Sequence, residues 1–171
     1  MRKRSVIMAF ATVLALGVAA IVQAVPASAA WGDYVEIVNA VSGKCADVER
    51  QSVFPGAAVH QWSCHNDANQ LWRPEDQGNG YAWFRNLNSD LCMAATLVRG
   101  SVYAIVQDTC VNGANRELWR WEVADEFGHE VLQSALGNLC LALDGVFSAQ
   151  NGWAIVLHDC ATTSGQFWHP A

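Results

Sequence analysis

The chain has 171 residues, ten of them Lys or Arg and sixteen Asp or Glu, which gives a formal net charge of −6 at pH 7. Nucleic-acid binding draws its affinity from clustered basic side chains, so this composition argues against a nucleic-acid partner. Eight Trp, few Lys and a length suited to one domain with a real core favour a compact, aromatic-rich β protein.

The first 29 residues have the pattern of an export signal. Residues 2–4 are basic, residues 5–25 carry no charge, and the small residues at 27–29 suit a signal peptidase. An uncharged run of about 20 residues is also long enough to span a bilayer, but the Ala-Ser-Ala ending and the short basic head favour cleavage. We therefore predict a secreted, extracellular protein. Its mature domain, residues 30–171, would have a net charge of −9 and no membrane contact.

The mature part consists of three copies of one unit. The opening segments are GKCADV at 43–48, DLCMAA at 90–95 and NLCLAL at 138–143. The closing segments are SCHNDANQLW at 63–72, TCVNGANRELW at 109–119 and DCATTSGQFW at 159–168. The opening cysteines recur at intervals of 47 and 48 residues. A period of this length marks a repeat architecture, with repeats at about 34–80, 81–127 and 128–171.

All six cysteines lie after the export signal, and an even number in an exported chain predicts a disulfide framework. Six cysteines allow fifteen pairings. Because the two cysteines of each unit are 19, 18 and 20 positions apart, the simplest pairing is local. It joins Cys45 with Cys64, Cys92 with Cys110 and Cys140 with Cys160. A zinc site needs close pairs such as CxxC, and the sequence has none. We predict no metal site and no cofactor.

Stretches that favour β-strands follow one another along the chain. They are YVEIVN, AVHQW and QLWRP in the first repeat, YAWFRNL, SVYAIVQ and ELWRWEV in the second, and HEVLQSA, WAIVLHD and QFWH in the third. Gly and Asn residues, such as those at 79–80 and 112–113, separate them as turns. No window shows a sustained helical period with caps. The sequence predicts an all-β domain whose three equivalent units surround one core and hide their sheet edges.

The ends of the repeats resemble a known motif. QLW at 70–72 and QFW at 166–168 match the QxW signature of ricin-B-type lectin repeats, and ELW at 117–119 is a diverged copy. The resemblance covers roughly residues 34–168. It implies a β-trefoil of twelve strands, half of them in a short barrel and half in a cap of hairpins, with one potential sugar pocket per repeat. It also implies that Trp72, Trp119 and Trp168 are core residues.

A sugar presents hydroxyl groups at its edge and C–H groups on its face, so a protein holds it with a carboxylate, amides and an aromatic ring. The resemblance places these groups in the first repeat at Asp47, Trp62, Asn69 and Gln70. His60 stands where the family often has Gln. Alone, Asp47 would suit a solvated turn and Trp62 the core, but the complete set favours a sugar site. We expect Asp47 to be a surface carboxylate that contributes little to folding.

The second repeat lacks this set. Ala94 stands at the carboxylate position, Asp108 at the ring position, and Arg116 and Glu117 replace the two amides. We predict that this repeat binds no sugar.

The third repeat also lacks the carboxylate. Ala142 takes its place, Val156 replaces the Gln of the family, His158 stands at the ring position and Gly165 replaces the Asn. Asp144 lies two residues beyond the carboxylate position in the sequence, and it would replace the missing carboxylate only if the loop were rearranged. We predict that sugar binding is lost here as well.

Two other classes of function were weighed against sugar binding. A glycosidase needs two carboxylates flanking one bond, and Asp47 has no evident partner; no GxSxG or HExxH motif occurs either. We therefore predict that the protein is not an enzyme. A secreted protein-binding trefoil, such as an inhibitor or toxin component using Trp31 and Trp153, stays open. The preferred interpretation is a monomer that binds carbohydrate, either a galactose-like sugar or a polysaccharide such as xylan.

Overall fold

The computed structural model describes residues 32–145 and 149–171, so the predicted export signal lies outside it. Twelve strands follow one another in this described part: β1 (Val35–Asn39), β2 (Lys44–Val48), β3 (Val59–Ser63), β4 (Leu71–Gly78), β5 (Tyr81–Asn86), β6 (Cys92–Arg99), β7 (Val102–Asp108), β8 (Trp119–Val123), β9 (Glu130–Ser134), β10 (Leu139–Leu143), β11 (Trp153–Asp159) and β12 (Trp168–Pro170). Single turns of 3₁₀ helix lie at Glu49–Gln51, Ala68–Gln70, Asn115–Glu117 and Ser164–Gln166. No described helix is long and apolar enough to cross a membrane.

Each repeat supplies four strands, and the strands divide into a barrel and a cap. In the barrel, β1 pairs with β12 and β4, β5 pairs with β4 and β8, and β8 pairs with β9, while β9 lies beside β12. The hairpins β2–β3, β6–β7 and β10–β11 form the cap and meet through the β3–β11 and β7–β11 pairings. This arrangement is the predicted β-trefoil.

Three tryptophans tie the cap to the barrel. Trp72, Trp119 and Trp168 are buried, which confirms their predicted place in the core. Each indole N–H donates to the backbone carbonyl that follows the first Cys of its own repeat, at Ala46 (3.0 Å), Met93 (2.9 Å) and Leu141 (3.0 Å). Burial of one aromatic side chain stabilises a fold by about 1.5–3 kcal/mol. The last residue of the QxW motif is therefore structural in all three repeats.

The disulfides are those predicted from the repeat interval. Cys45 is bonded to Cys64, Cys92 to Cys110 and Cys140 to Cys160, and the described residues include no free cysteine. Each bridge joins the start of the second strand of a repeat to the segment just after its third strand. Closing a loop of this length stabilises a fold by about 3 kcal/mol in the chain-entropy model. The hairpins of the cap are thus fixed covalently at their open ends.

Candidate functional site

Asp47 lies on β2, directly opposite His60 on β3. It is only 4% exposed, so the expectation of a surface carboxylate was wrong. Its Oδ2 atom accepts hydrogen bonds from Asn69 Nδ2 at 2.9 Å and from Gln70 Nε2 at 2.7 Å. Both amides belong to the single 3₁₀ turn Ala68–Gln70, which brings two consecutive side chains to one carboxylate. Three of the predicted site residues therefore meet at one atom.

Two histidines complete the surroundings of this carboxylate. His60 Nε2 lies 3.2 Å from Asp47 Oδ1, and His65 Nε2 lies 3.3 Å from Asp47 Oδ2. His60 was predicted as a site residue, whereas His65 was not. Its place beside Cys64 in the sequence gives no indication of a contact with Asp47. The Asp47 carboxylate thus faces donors from the hairpin on one side and from the 63–70 segment on the other.

Trp62 forms the rim of the site. It is 39% exposed, and its ring stacks on that of His60 with 5.5 Å between centroids and an angle of 26°. Gly152 lies against its far edge, where a Cβ would stand 3.8 Å from the indole. The position is therefore a supported aromatic surface and not the core packing that a lone Trp would suggest.

These side chains line one cavity of about 710 Å³. Its polar lining includes Asp47, His60, His65 and Asn69 as well as the Glu49–Gln51 turn. Its apolar wall includes Ala104 and Ala154 from cap strands of the other two repeats. Gln70 lies behind Asp47, fully buried. The arrangement offers a fixed carboxylate, a partly exposed indole and an apolar wall, which are the groups that hold a sugar.

The second repeat has an ion-pair cluster at the equivalent place. Ala94 is buried on β6 and offers no polar atom. Arg116 Nη2 lies 2.9 Å from Asp108 Oδ2 and 3.0 Å from Glu117 Oε1. Glu117 is fully buried, and this burial raises the pKa of its carboxyl group even though the Val111 N–H and Arg116 oppose the shift. The polar side chains of this repeat bind one another.

The third repeat keeps a cavity of about 690 Å³ but not the carboxylate. Ala142 and His158 line it, whereas Asp144 does not. Asp144 is exposed, and its backbone carbonyl accepts a hydrogen bond from the Trp153 indole. Asp159, on β11 next to His158, also lines this cavity. The β10 position equivalent to Asp47, however, is occupied by Ala142, so the arrangement of the first repeat is not reproduced.

The comparisons with known proteins follow this geometry. Residues 26–101 match the family model of the ricin-type β-trefoil lectin domain-like proteins. The matched segment is 76 of the 171 residues, and it is similar to ricin-type β-trefoil lectin domains. A search of curated proteins finds no match.

Solved structures share the β-trefoil fold of this chain. The designed three-fold symmetric protein ThreeFoil is 25% identical with a TM-score of 0.74, over 81% of this chain and 97% of that chain. An exo-β-1,3-galactanase from Clostridium thermocellum is 24% identical with a TM-score of 0.72, over 81% of this chain and 30% of that chain. A ricin B-like lectin from Macrolepiota procera, solved with lactose, is 16% identical with a TM-score of 0.69, over 84% and 97% of the two chains.

The first residue of the QxW motif, Gln or Glu, makes the same structural hydrogen bond in all three repeats. It accepts a hydrogen bond from the backbone N–H that follows the second Cys: Gln70 from His65 at 2.9 Å, Glu117 from Val111 at 2.6 Å and Gln166 from Ala161 at 2.7 Å. The two glutamines also donate to the carbonyl that precedes that Cys. Gln70 therefore stabilises the fold through its backbone contacts and also orients the Asp47 carboxylate.

Of the two tryptophans considered for a protein interface, Trp31 lies outside the described residues. Trp153 is half-buried, packs against the core and donates its indole N–H to Asp144. This ring is engaged within the domain, which weakens the protein-binding alternative.

Proposed function

We propose that this domain is a secreted module that binds carbohydrate through the first-repeat cavity and releases it unchanged. The observation that carries the proposal is the Asp47 carboxylate, held by Asn69 and Gln70 in the wall of a cavity with Trp62 at its rim. Hydroxyl groups of a sugar donate to such a carboxylate while the C–H face of the ring packs on the indole.

Binding is favoured over hydrolysis by the state of the carboxylates in this cavity. Asp47 already accepts two amide hydrogen bonds and lies against two imidazoles, so it is fixed as an acceptor. Glu49, the other carboxylate among the lining residues, faces the Arg50 guanidinium at 3.4 Å. Glycoside hydrolysis needs a proton donor and a nucleophile or base on opposite sides of one bond, and these two residues are engaged otherwise.

The first ligands to test follow from the structures that share the fold. One of them was solved with lactose and another is a galactanase. We therefore choose galactose-containing sugars as the first probes and xylan as the second.

Calorimetric titration of the secreted protein with lactose, galacto-oligosaccharides and soluble xylan tests the proposal. Asp47→Asn keeps the shape of the side chain but removes its charge, and we expect it to lower affinity by about tenfold or more. Asp144→Asn, an exposed residue outside the first-repeat cavity, is the matched control and leaves affinity unchanged. Equal binding by the wild type and Asp47→Asn would reject this site, and release of shortened sugars would show an enzyme instead.

A further inference from the structure

The connection between β2 and β3 is longer than its counterpart in the second repeat. Residues 49–58 join β2 to β3, whereas only residues 100–101 join β6 to β7. The long connection lies directly beside the first-repeat cavity, and its first three residues line that cavity. The additional residues of this connection therefore lie where a ligand longer than one sugar unit would extend out of the cavity.

This connection is strained and yet held in place. Arg50 and Gln51 both have positive φ, 54° and 53°, a region that side chains other than Gly rarely adopt. Two side chains from the second repeat fix the segment: Asn88 Nδ2 donates to Gln51 O at 2.8 Å, and the buried Gln107 donates to Ser52 O and Phe54 O at 2.8 and 3.0 Å. Backbone strain of this kind persists when the surroundings determine the conformation, and it clusters at functional sites.

The held segment separates two cavities. Glu49–Gln51 lines the cavity of Asp47 on one side and a second cavity of about 470 Å³ on the other. Phe54 lines the second cavity and is 73% exposed, although its backbone is fixed by Gln107. The Arg50 side chain is 88% exposed on the turn between the two cavities, and its contact with Glu49 is a weak surface pair. An exposed aromatic ring and an exposed guanidinium on a turn that side chains of the second repeat hold in place form a contact surface.

We propose that Arg50 and Phe54 form a second subsite, so that the ligand of this domain is an oligosaccharide or an internal stretch of polysaccharide rather than a single sugar. This inference rests on the proposed function of the first-repeat pocket. The sugar unit bound at Asp47 is followed by units that cross the turn. There the Arg50 guanidinium, which has donors but no acceptor, donates to sugar oxygens, and the Phe54 ring packs on the next C–H face.

The experiment measures affinity against chain length. Wild-type protein is titrated with galactose and β-linked galacto-oligosaccharides of two to four units, and in parallel with xylose and the matching xylo-oligosaccharides. We expect the better series to gain about tenfold in affinity from one unit to three or four. Phe54→Ala removes most of that gain and leaves the affinity for the single sugar unchanged, and Arg50→Ala removes part of it.

Matched controls come from exposed residues far along the chain. Phe127, 80% exposed, and Arg99 on the β6–β7 hairpin are replaced by Ala in the same way and leave the gain intact. The second subsite is overturned if affinity does not depend on the length of the oligosaccharide, or if the gain survives both Phe54→Ala and Arg50→Ala. In either case, loss of single-sugar affinity in Asp47→Asn would still support the first-repeat pocket. Absence of binding to every sugar in both series overturns both proposals.

Discussion

At the scale of single residues, Asp47 is both the proposed sugar-binding carboxylate and part of the hydrogen-bond network of the fold. Asn69 and Gln70 each donate to it, but each also donates to a backbone carbonyl, Val48 O and Ser63 O, at 3.1 Å. A change at Asp47 therefore removes a charged acceptor without leaving either amide nitrogen unpaired. Its effect on stability lies between that of a surface residue and that of a buried residue whose partners are stranded.

Asp47→Ala is predicted to lower the free energy of unfolding by about 1–3 kcal/mol, the usual effect of losing charged hydrogen bonds at a buried site. Urea denaturation of wild type and variant measures it, and Asp144→Ala, at an exposed position, serves as the unchanged control. An unaltered midpoint in Asp47→Ala would show that the amides do not depend on the carboxylate.

Glu117 provides a second prediction at this scale, because it replaces a Gln that would donate as well as accept. Its Oε1 atom is buried and has only the Arg116 ion pair at 3.0 Å, without a hydrogen bond of good geometry among the described residues, and burial raises its pKa. An acid whose pKa is higher in the folded state binds its proton more tightly there. Its contribution to the free energy of unfolding is thus fully present below the ordinary pKa of Glu, and it is lost as pH rises through the folded-state pKa.

Glu117→Gln is predicted to remove this loss and to restore the donor that Gln70 and Gln166 have in their repeats. At pH 8 the desolvation of the buried Glu117 carboxylate outweighs its contacts with Val111 and Arg116. We therefore expect the variant to be more stable than wild type by about 1–3 kcal/mol, the usual cost of a buried polar group whose hydrogen bonds are incomplete, and at pH 4 the difference shrinks. Denaturation at the two pH values measures it. Glu122→Gln, on the surface, controls for the loss of one charge, and a difference independent of pH would contradict the explanation.

At the scale of elements, the sequence predicts the alternating strands well and the continuously buried ones poorly. The pattern of YVEIVN predicts β1, which alternates between buried and half-buried residues. No such pattern marks β2 and β10, where four of five residues are buried, so only the family resemblance supplied the hairpins. The turn at Asn79–Gly80 was predicted from its Asn-Gly pair, which favours a tight hairpin. In the structure both residues adopt the positive φ that such a turn needs.

The candidate site divides in the same way. The family resemblance placed Asp47, Asn69 and Gln70, because it defines their positions relative to the cysteines and the closing Trp. His65 and the Glu49–Gln51 turn were missed because their place at the cavity depends on how separate segments pack. Sequence spacing reports contacts within one repeat, and it is silent about contacts such as that of Gln107 with the 49–58 connection.

The disulfide of the first repeat is the element that holds this hairpin at its open end, and its removal is predicted to affect binding as well as stability. Cys45 lies opposite Trp62 in the β2–β3 register. We expect the double variant Cys45→Ala, Cys64→Ala to lose about 3 kcal/mol of stability and to bind sugar more weakly. The matched control is the double variant Cys140→Ala, Cys160→Ala, which removes a disulfide that closes a loop of similar length in the third repeat. It loses similar stability but retains affinity, whereas an equal loss of affinity in both variants would argue for a global effect.

At the scale of the whole molecule, the fold repeats three times, whereas the complete set of proposed sugar-binding groups occurs in one repeat. The three closing Trp residues make the same hydrogen bond, and the motif residue before them accepts the same backbone N–H. The binding groups do not follow this symmetry, because Ala94 and Ala142 occupy the positions equivalent to Asp47. The repeats therefore share the residues that fold the domain and differ in those that face a ligand.

Valency is the consequence that this asymmetry predicts. The gain in affinity from linked sites requires a second working site, and a single shallow sugar pocket holds one sugar unit at a Kd of about 1 mM, or about −4 kcal/mol. We expect a monomer, verified by light scattering, to bind one oligosaccharide per chain in calorimetric titration and to leave glycan-coated beads unagglutinated. Two or three sites per chain would show that the third-repeat cavity, with His158 at its wall, binds sugar without a carboxylate at the Asp47 position. If there are two sites, His158→Ala lowers the stoichiometry to one, and Asp47→Asn alone also leaves one site in place.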